Sequence, residues 1–190
     1  MTITLLNSKG GVGKSTVTML LSSLFAESGH TVGLIDRDTL QQTATQWINK
    51  TAPPNVELYK KSKSYDVIVI DTPPRINSPG LVESIKQADI ILIVTSPSPA
   101  DLWTAQTTIE AIEKHKQGKP IIKLLFNRIK ANTMLSKELD NIAKMLKTKA
   151  LKNNLHDRTC YQYSCIKGLK VLDSKAQEEL LNLAIEIIKR

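Results

Sequence analysis

The sequence predicts an α/β fold: a doubly wound, mostly parallel sheet with helices on both faces. Three observations lead there. The runs YDVIVID (65–71), ADIILIVT (88–95) and PIIKLLFN (120–127) are continuously apolar rather than alternating. Such strands are buried on both faces, as in a parallel sheet. Amphipathic helical stretches separate the runs, as parallel crossovers require. A glycine-rich turn, KGGVGKS (9–15), follows the first apolar run and opens the first helical stretch.

Each element has its own signal. TITLLN (2–7) reads as a buried strand. Val17, Leu20, Leu21, Leu24 and Phe25 then share one helical face, and Gly29 stops that helix. TVGLID (31–36) is a second strand and VELYK (56–60) a short third. Helices are expected over 80–87, 101–117, 133–148 and 174–189. Leu135, Leu139, Ile142 and Leu146 stripe one of them, and Leu180, Leu183, Ala184 and Ile187 stripe the last. No repeat, linker or low-complexity segment interrupts the order, so residues 1–190 read as one domain.

Composition narrows the class. With 41% hydrophobic and 23% charged residues, the chain reads as an ordinary soluble globular protein. It has no apolar run long enough to span a bilayer and no secretory signal, so a cytoplasmic location is expected. The two cysteines, Cys160 and Cys165, are spaced C-x4-C, which fits neither a zinc pair nor a redox C-x-x-C. Charge is lopsided. Residues 1–110 carry 9 Lys and Arg against 10 Asp and Glu, whereas residues 111–190 carry 17 against 8. A one-sided basic excess suits a polyanion partner or simply a solvated lysine-rich surface.

Folds of this kind bind ligands at the carboxyl ends of their strands, so those ends carry the functional reading. After the first strand, Gly13-Lys14-Ser15 fits the end of a phosphate-binding loop, although Ser8 stands where the usual pattern begins with glycine. Backbone N–H groups of such a loop converge on phosphate oxygens, helped by the helix N-terminus. Lys14 would neutralise the terminal phosphates and the Ser15 hydroxyl would ligate Mg²⁺. The second strand ends in Asp36 and Asp38, and the strand at 65–71 ends in Asp71. A carboxylate there can hold Mg²⁺ through water. Asn127 and Arg128 follow the strand at 120–127, and an Asn amide can both donate to and accept from an adenine edge.

KGGVGKST, LIDRD, VIVIDTPP and FNR, in this order and spacing, resemble the ParA/MinD family of deviant Walker A ATPases. Within it the likeness is to short ParA-type plasmid and chromosome partition ATPases. The closing stretch, with an Arg, a Gly-x-x-Val turn at 168–171 and a final helix, extends it over nearly the whole chain. The resemblance implies a phosphate-loop NTPase that hydrolyses ATP with Mg²⁺. Gly10, Gly11, Val12, Gly13, Lys14, Ser15 and Thr16 would cradle the phosphates, with Asn127 and Arg128 facing the adenine. Lys9, Lys14 and Asp38 would be the catalytic set, Asp38 positioning the attacking water, and Ser15, Asp36 and Asp71 would lie at the Mg²⁺. It also implies a homodimer formed face to face around two ATP molecules. Lys9 would cross to the partner's phosphates, where an added cation stabilises the spread charge of phosphoryl transfer.

One departure stands out. Family members continue Asp-Pro-Gln after the second aspartate, whereas this chain reads Asp38-Thr39-Leu40-Gln41 and reaches Trp47 later. Losing the proline frees φ and loosens the loop, so slow, partner-dependent hydrolysis is expected.

Three functions share this core. A partition ATPase would bind non-specific DNA on the nucleoid through Lys149, Lys152, Arg158, Lys167 and Lys170, and would answer to a centromere-binding protein. Strand one begins at residue 2, so no N-terminal operator-binding extension is expected. A membrane-associated division-site regulator needs an amphipathic tail beyond the last helix; the chain ends at Arg190 and that helix carries the stripe of a packed one, so no membrane partner is expected. An iron–sulfur ATPase needs better-placed cysteines.

Overall fold

The computed structural model describes residues 1–76 and 78–189; Arg190 lies outside them. Six strands form one parallel sheet: β1 (Thr2–Leu6), β2 (Val32–Asp36), β3 (Val56–Leu58), β4 (Val67–Asp71), β5 (Ile90–Thr95) and β6 (Ile121–Phe126). Their order is β3-β2-β4-β1-β5-β6. From β1 the chain passes to β2 and β3 on one side, returns to β4 between β2 and β1, and then crosses to β5 and β6 on the other side. The crevice where the direction switches opens at the carboxyl ends of β1 and its neighbours.

Side chains alternate cleanly through the sheet. Ile3, Leu5, Val32, Leu34, Leu92 and Val94 enter one core. It is covered by α1 (Lys14–Glu27), α2 (Thr43–Thr51), α7 (Thr159–Lys167) and α8 (Ser174–Ile188). Leu6, Ile91, Ile93, Leu124 and Phe126 enter the other, beneath α3 (Pro79–Gln87), α4 (Pro99–His115) and α6 (Leu139–Met145). Burial of long aliphatic side chains on both faces, at about 25 cal/mol per Å² of apolar area removed from water, is the main favourable term.

Close packing also fixes one backbone choice in β2. A Cβ on Gly33 would lie 2.9 Å from the Tyr65 ring, so this strand position excludes any side chain.

Several expectations need correction. The third strand spans three residues, Val56–Leu58, not 56–60. The helix expected over 133–148 divides into α5 (Met134–Lys137) and α6. A Thr133–Ser136 capping box closes the short turn, and Glu138, at φ −106° and ψ 10°, interrupts the helical path. Lys147, at φ 51°, ends the second piece. Leu135 of the expected stripe is consequently 40% exposed, while Ile142 and Leu146 remain buried.

Residues 149–157 form an irregular strap beside β6. Leu124 donates to the Lys149 carbonyl (2.9 Å), Leu151 to that of Leu124 (2.8 Å), and Leu155 to that of Phe126 (3.0 Å). Glu186 of α8 fastens the strap by accepting from the Lys152 and Asn153 N–H groups at 2.9 and 2.8 Å.

Candidate nucleotide site

The loop after β1 is held from three sides. Asn7 donates to the Val94 carbonyl (2.8 Å) and accepts from the Lys9 N–H (2.9 Å). Ser8, the departure from the usual pattern, donates its N–H to the Thr108 hydroxyl (3.1 Å) and its hydroxyl to the Thr104 carbonyl (3.4 Å), both on α4. From the third side, Asn127 Nδ2 donates to the Val12 carbonyl (2.9 Å) and Arg128 to that of Gly11 (2.6 Å). Asn127 and Arg128 thus brace the loop in this structure, and Asn127 is buried.

Gly13 is required twice over. It caps α1 in the left-handed region at φ 97°, and a Cβ there would sit 2.2 Å from Asn127 Nδ2. Gly13→Ala is expected to cost at least about 2 kcal/mol of stability, from left-handed strain plus displacement of Asn127. Thermal unfolding checks this; a melting point within a degree of the parent would refute the close fit.

Among the described residues, the backbone N–H groups of Gly10, Gly11, Val12 and Gly13 donate to no protein acceptor. They lie at the N-terminus of a 14-residue helix, so this end of the crevice is built for an anion. Lys14 is 6% exposed, and its ammonium donates to the Lys9 carbonyl at 3.0 Å. Burial pulls its pKa down, while Asp71 and Asp38 pull it up.

The three aspartates take different roles. Asp71 is 1% exposed. Burial pushes its carboxyl up to about 6, opposed by the neighbouring Ser15 hydroxyl and reinforced by Asp36. Its Oδ1 is buried without a hydrogen-bond partner. An orphaned carboxylate oxygen beside Ser15 suits a hydrated Mg²⁺, a cation that keeps several waters and takes few protein ligands. Asp36 instead organises its own loop. Its Oδ1 accepts from the Asp38 N–H (3.0 Å), and its Oδ2 from the Thr45 N–H and hydroxyl (2.9 and 3.0 Å). Asp36 therefore caps α2 from nine positions upstream. Asp38 is buried, and its Oδ1 receives the N–H groups of Leu40 and Gln41, each at 3.2 Å. The loop that lost its proline is thus tied by its aspartates. No three His, Cys, Asp or Glu side chains converge as a metal cage among the described residues.

Lys9 pairs with Asp101 Oδ1 in the first turn of α4. Ser96 donates to the other oxygen at 2.6 Å. Asp101 and Ser96 carried no signal in the sequence, because the contact spans 92 positions.

The basic residues of the carboxyl-terminal half fall into three settings. Lys149 and Lys152 line a groove with Lys123, Lys144 and Lys147 beside the strap. Lys167 and Lys170 lie in a separate groove against Leu24 and Glu27 of α1. Arg158 is committed to Glu179, at 2.5 Å, and is not a free surface cation. Cys160 and Cys165 are unpaired thiols.

Residues 3–171 match the CobQ/CobB/MinD/ParA nucleotide binding domain model. The chain belongs to that family. The "Maintenance of carboxysome distribution protein A" of Halothiobacillus neapolitanus is 26% identical over 209 residues, covering 98% of this chain and 96% of that protein. A putative plasmid partition protein of Borrelia burgdorferi, solved with AMPPNP, superposes with a TM-score of 0.78 at 20% identity, over 99% of this chain and 98% of its own. The septum site-determining protein MinD of Pyrococcus horikoshii, solved with Mg-ADP, gives 0.78 at 18% identity, over 100% and 97%. These likenesses confirm the phosphate-loop α/β fold with its six-stranded parallel sheet.

Proposed function

We propose that this chain is one ATPase domain spanning residues 1–190 that positions DNA or another cargo through ATP-dependent dimerisation, non-specific DNA binding and slow hydrolysis. The observation that carries the reading is a buried Lys14 and a buried Asp71 with an orphaned oxygen, near enough to influence each other's charge, beside loop N–H groups that have no protein acceptor among the described residues. Lys14 and the loop N–H groups hold the phosphates, and Asn127 and Arg128 keep the loop shaped beside the adenine. Asp38 orients the attacking water and Asp36 fixes the loop that carries it. When bound, Mg²⁺ at Ser15 and Asp71 neutralises charge on the terminal phosphates. Lys9 reaches the partner subunit's phosphates. A centromere-binding or cargo-bound protein stimulates turnover, and the dimer works on the nucleoid in the cytoplasm.

For DNA, the observation in favour is the five-lysine groove beside the strap. Its acids are Asp140 and Glu186, and Glu186 is occupied by backbone N–H groups. Binding to random-sequence DNA with ATP, with ADP and without nucleotide tests the reading. Lys149→Glu with Lys152→Glu is expected to lower affinity at least tenfold and to reduce the log–log salt slope by about two. Lys167→Glu with Lys170→Glu is expected to do less. Full affinity in the Lys149→Glu, Lys152→Glu variant would show that the basic groove is only a solvated surface, and affinity indifferent to nucleotide would remove ATP-dependent dimerisation from the reading.

One observation favours a second reading, attachment to a membrane surface. The last helix carries, besides its buried stripe, Leu181, Ile185 and Ile188 at 48%, 38% and 47% exposure. These positions share a helical face. No helix among the described residues is long and apolar enough to cross a bilayer. Co-sedimentation with anionic vesicles in ATP, lost in Ile185→Glu, would move the assignment to this reading.

A further inference from the structure

Lys9 is fixed at both ends. Its N–H donates to Asn7 Oδ1 at 2.9 Å and its carbonyl accepts from Lys14 at 3.0 Å. Its ammonium, on a side chain 40% exposed, rests on Asp101, whose side chain is 12% exposed. Asp101 is in turn braced by Ser96, whose hydroxyl oxygen accepts from the Ser98 N–H at 3.2 Å. Burial raises the Asp101 pKa, but Lys9 and Ser96 more than offset this and hold the carboxyl below the usual carboxylate range. The Asp101 carboxylate is therefore charged at neutral pH. Of the two charges, Lys9 is the one able to leave, because its head is near the surface on a flexible stem.

We infer that Asp101, braced by Ser96, is a positioning residue that parks Lys9 within its own subunit and so sets the threshold for ATP-dependent dimerisation. This rests on the proposal that Lys9 serves the partner's phosphates. One ammonium cannot occupy Asp101 and a phosphate of the other subunit at the same time. Forming a dimer therefore breaks two Lys9–Asp101 pairs, one per subunit. A subunit with Lys9 parked is not competent, and apparent affinity falls by the competent fraction. A charge-assisted, partly buried pair of this kind favours the parked form by about tenfold. Two such pairs lower the dimerisation constant by about a hundredfold. The parked pair thus keeps isolated subunits from dimerising at low concentration, and the nucleotide phosphates supply the competing site.

Asp101→Asn keeps the shape and the Ser96 contact while removing the charge. With a non-hydrolysable ATP analogue, sedimentation velocity should show its dimerisation constant raised about a hundredfold over the parent. Hydrolysis measured against protein concentration should reach half its plateau at correspondingly lower concentration. Asp101→Glu, which restores a carboxylate, should return dimerisation towards the parental value. If Asp101→Asn fails to give a cooperative melt, Ser96→Ala carries the test, with a dimerisation constant raised about threefold. Trp103, 73% exposed two residues from Asp101, gives an independent fluorescence readout, since Trp47 is buried. Lys9→Ala separates the two possible failures. Unchanged ATP-dependent dimerisation in that variant sinks the crossing-lysine proposal itself. Dimerisation lost in Lys9→Ala, yet unchanged or weakened in Asp101→Asn, sinks the parking inference alone.

Discussion

Lys14→Ala is expected to weaken ATP binding at least a hundredfold while leaving the fold intact. Lys14 is the cation enclosed by the loop, and a buried ammonium on phosphate oxygens forms charge-assisted hydrogen bonds worth about 3 kcal/mol in total. The apo protein loses little. Burial already disfavours the charged ammonium, and the contact removed is one hydrogen bond to the Lys9 carbonyl at 3.0 Å. Calorimetric titration with ATP, set beside a thermal melt, checks both halves. A loss of affinity below threefold would place the phosphates elsewhere.

Asp71→Asn is expected to stop Mg²⁺-dependent hydrolysis and, without nucleotide, to stabilise the protein at neutral pH. Burial puts the folded-state pKa at about 6, above the ordinary 3.8. Between those values the folded protein binds a proton that the unfolded chain does not. Stability from this group is therefore highest below about pH 4, declines as pH rises through 6, and is flat above. The difference amounts to at most about 3 kcal/mol. The amide cannot ionise, so the variant should gain up to that amount at pH 7 and lose this part of the pH slope. Denaturant unfolding at pH 4.5 and 7.5 measures both. A variant less stable than the parent at pH 7.5, or one retaining the slope, would show that the Asp71 carboxylate is not strained by its burial. In the parent, Mg²⁺ with nucleotide should release a proton near pH 6 as the cation replaces it.

The sheet was legible because continuous β-branched runs leave little alternative. Strands β1, β2, β4, β5 and β6 fall within the stretches read from sequence. Helices α2 and α7 were not legible. In α2 only Ala44 and Trp47 are buried, too few for a stripe, and its cap comes from Asp36 across a loop. In α7 the buried residues are Tyr161 and Ser164, one of them polar. The strap was hidden because its partners are Leu124, Phe126 and Glu186, distant in sequence. The loop itself was plain from its glycines and Lys14. What the sequence left out is what grips the loop: Thr104 and Thr108 on Ser8, and Asp101 on Lys9. Arg158 shows the reverse error. Counted as surface charge, it belongs to Glu179, 21 positions away, and local charge density could not reveal that.

The strap has one further effect, on how copies of the chain can meet. A parallel sheet with a bare rim invites another chain to add a strand. Here residues 149–157 occupy the outer rim of β6 with main-chain bonds. The opposite rim, β3, is three residues long and is followed closely by Lys60, Lys61 and Lys63, a length and charge that discourage strand addition. Growth by ladder extension is thus blocked on one side and blunted on the other. Subunits that assemble must meet through side chains on their surfaces, where a bound nucleotide can decide whether the contact forms.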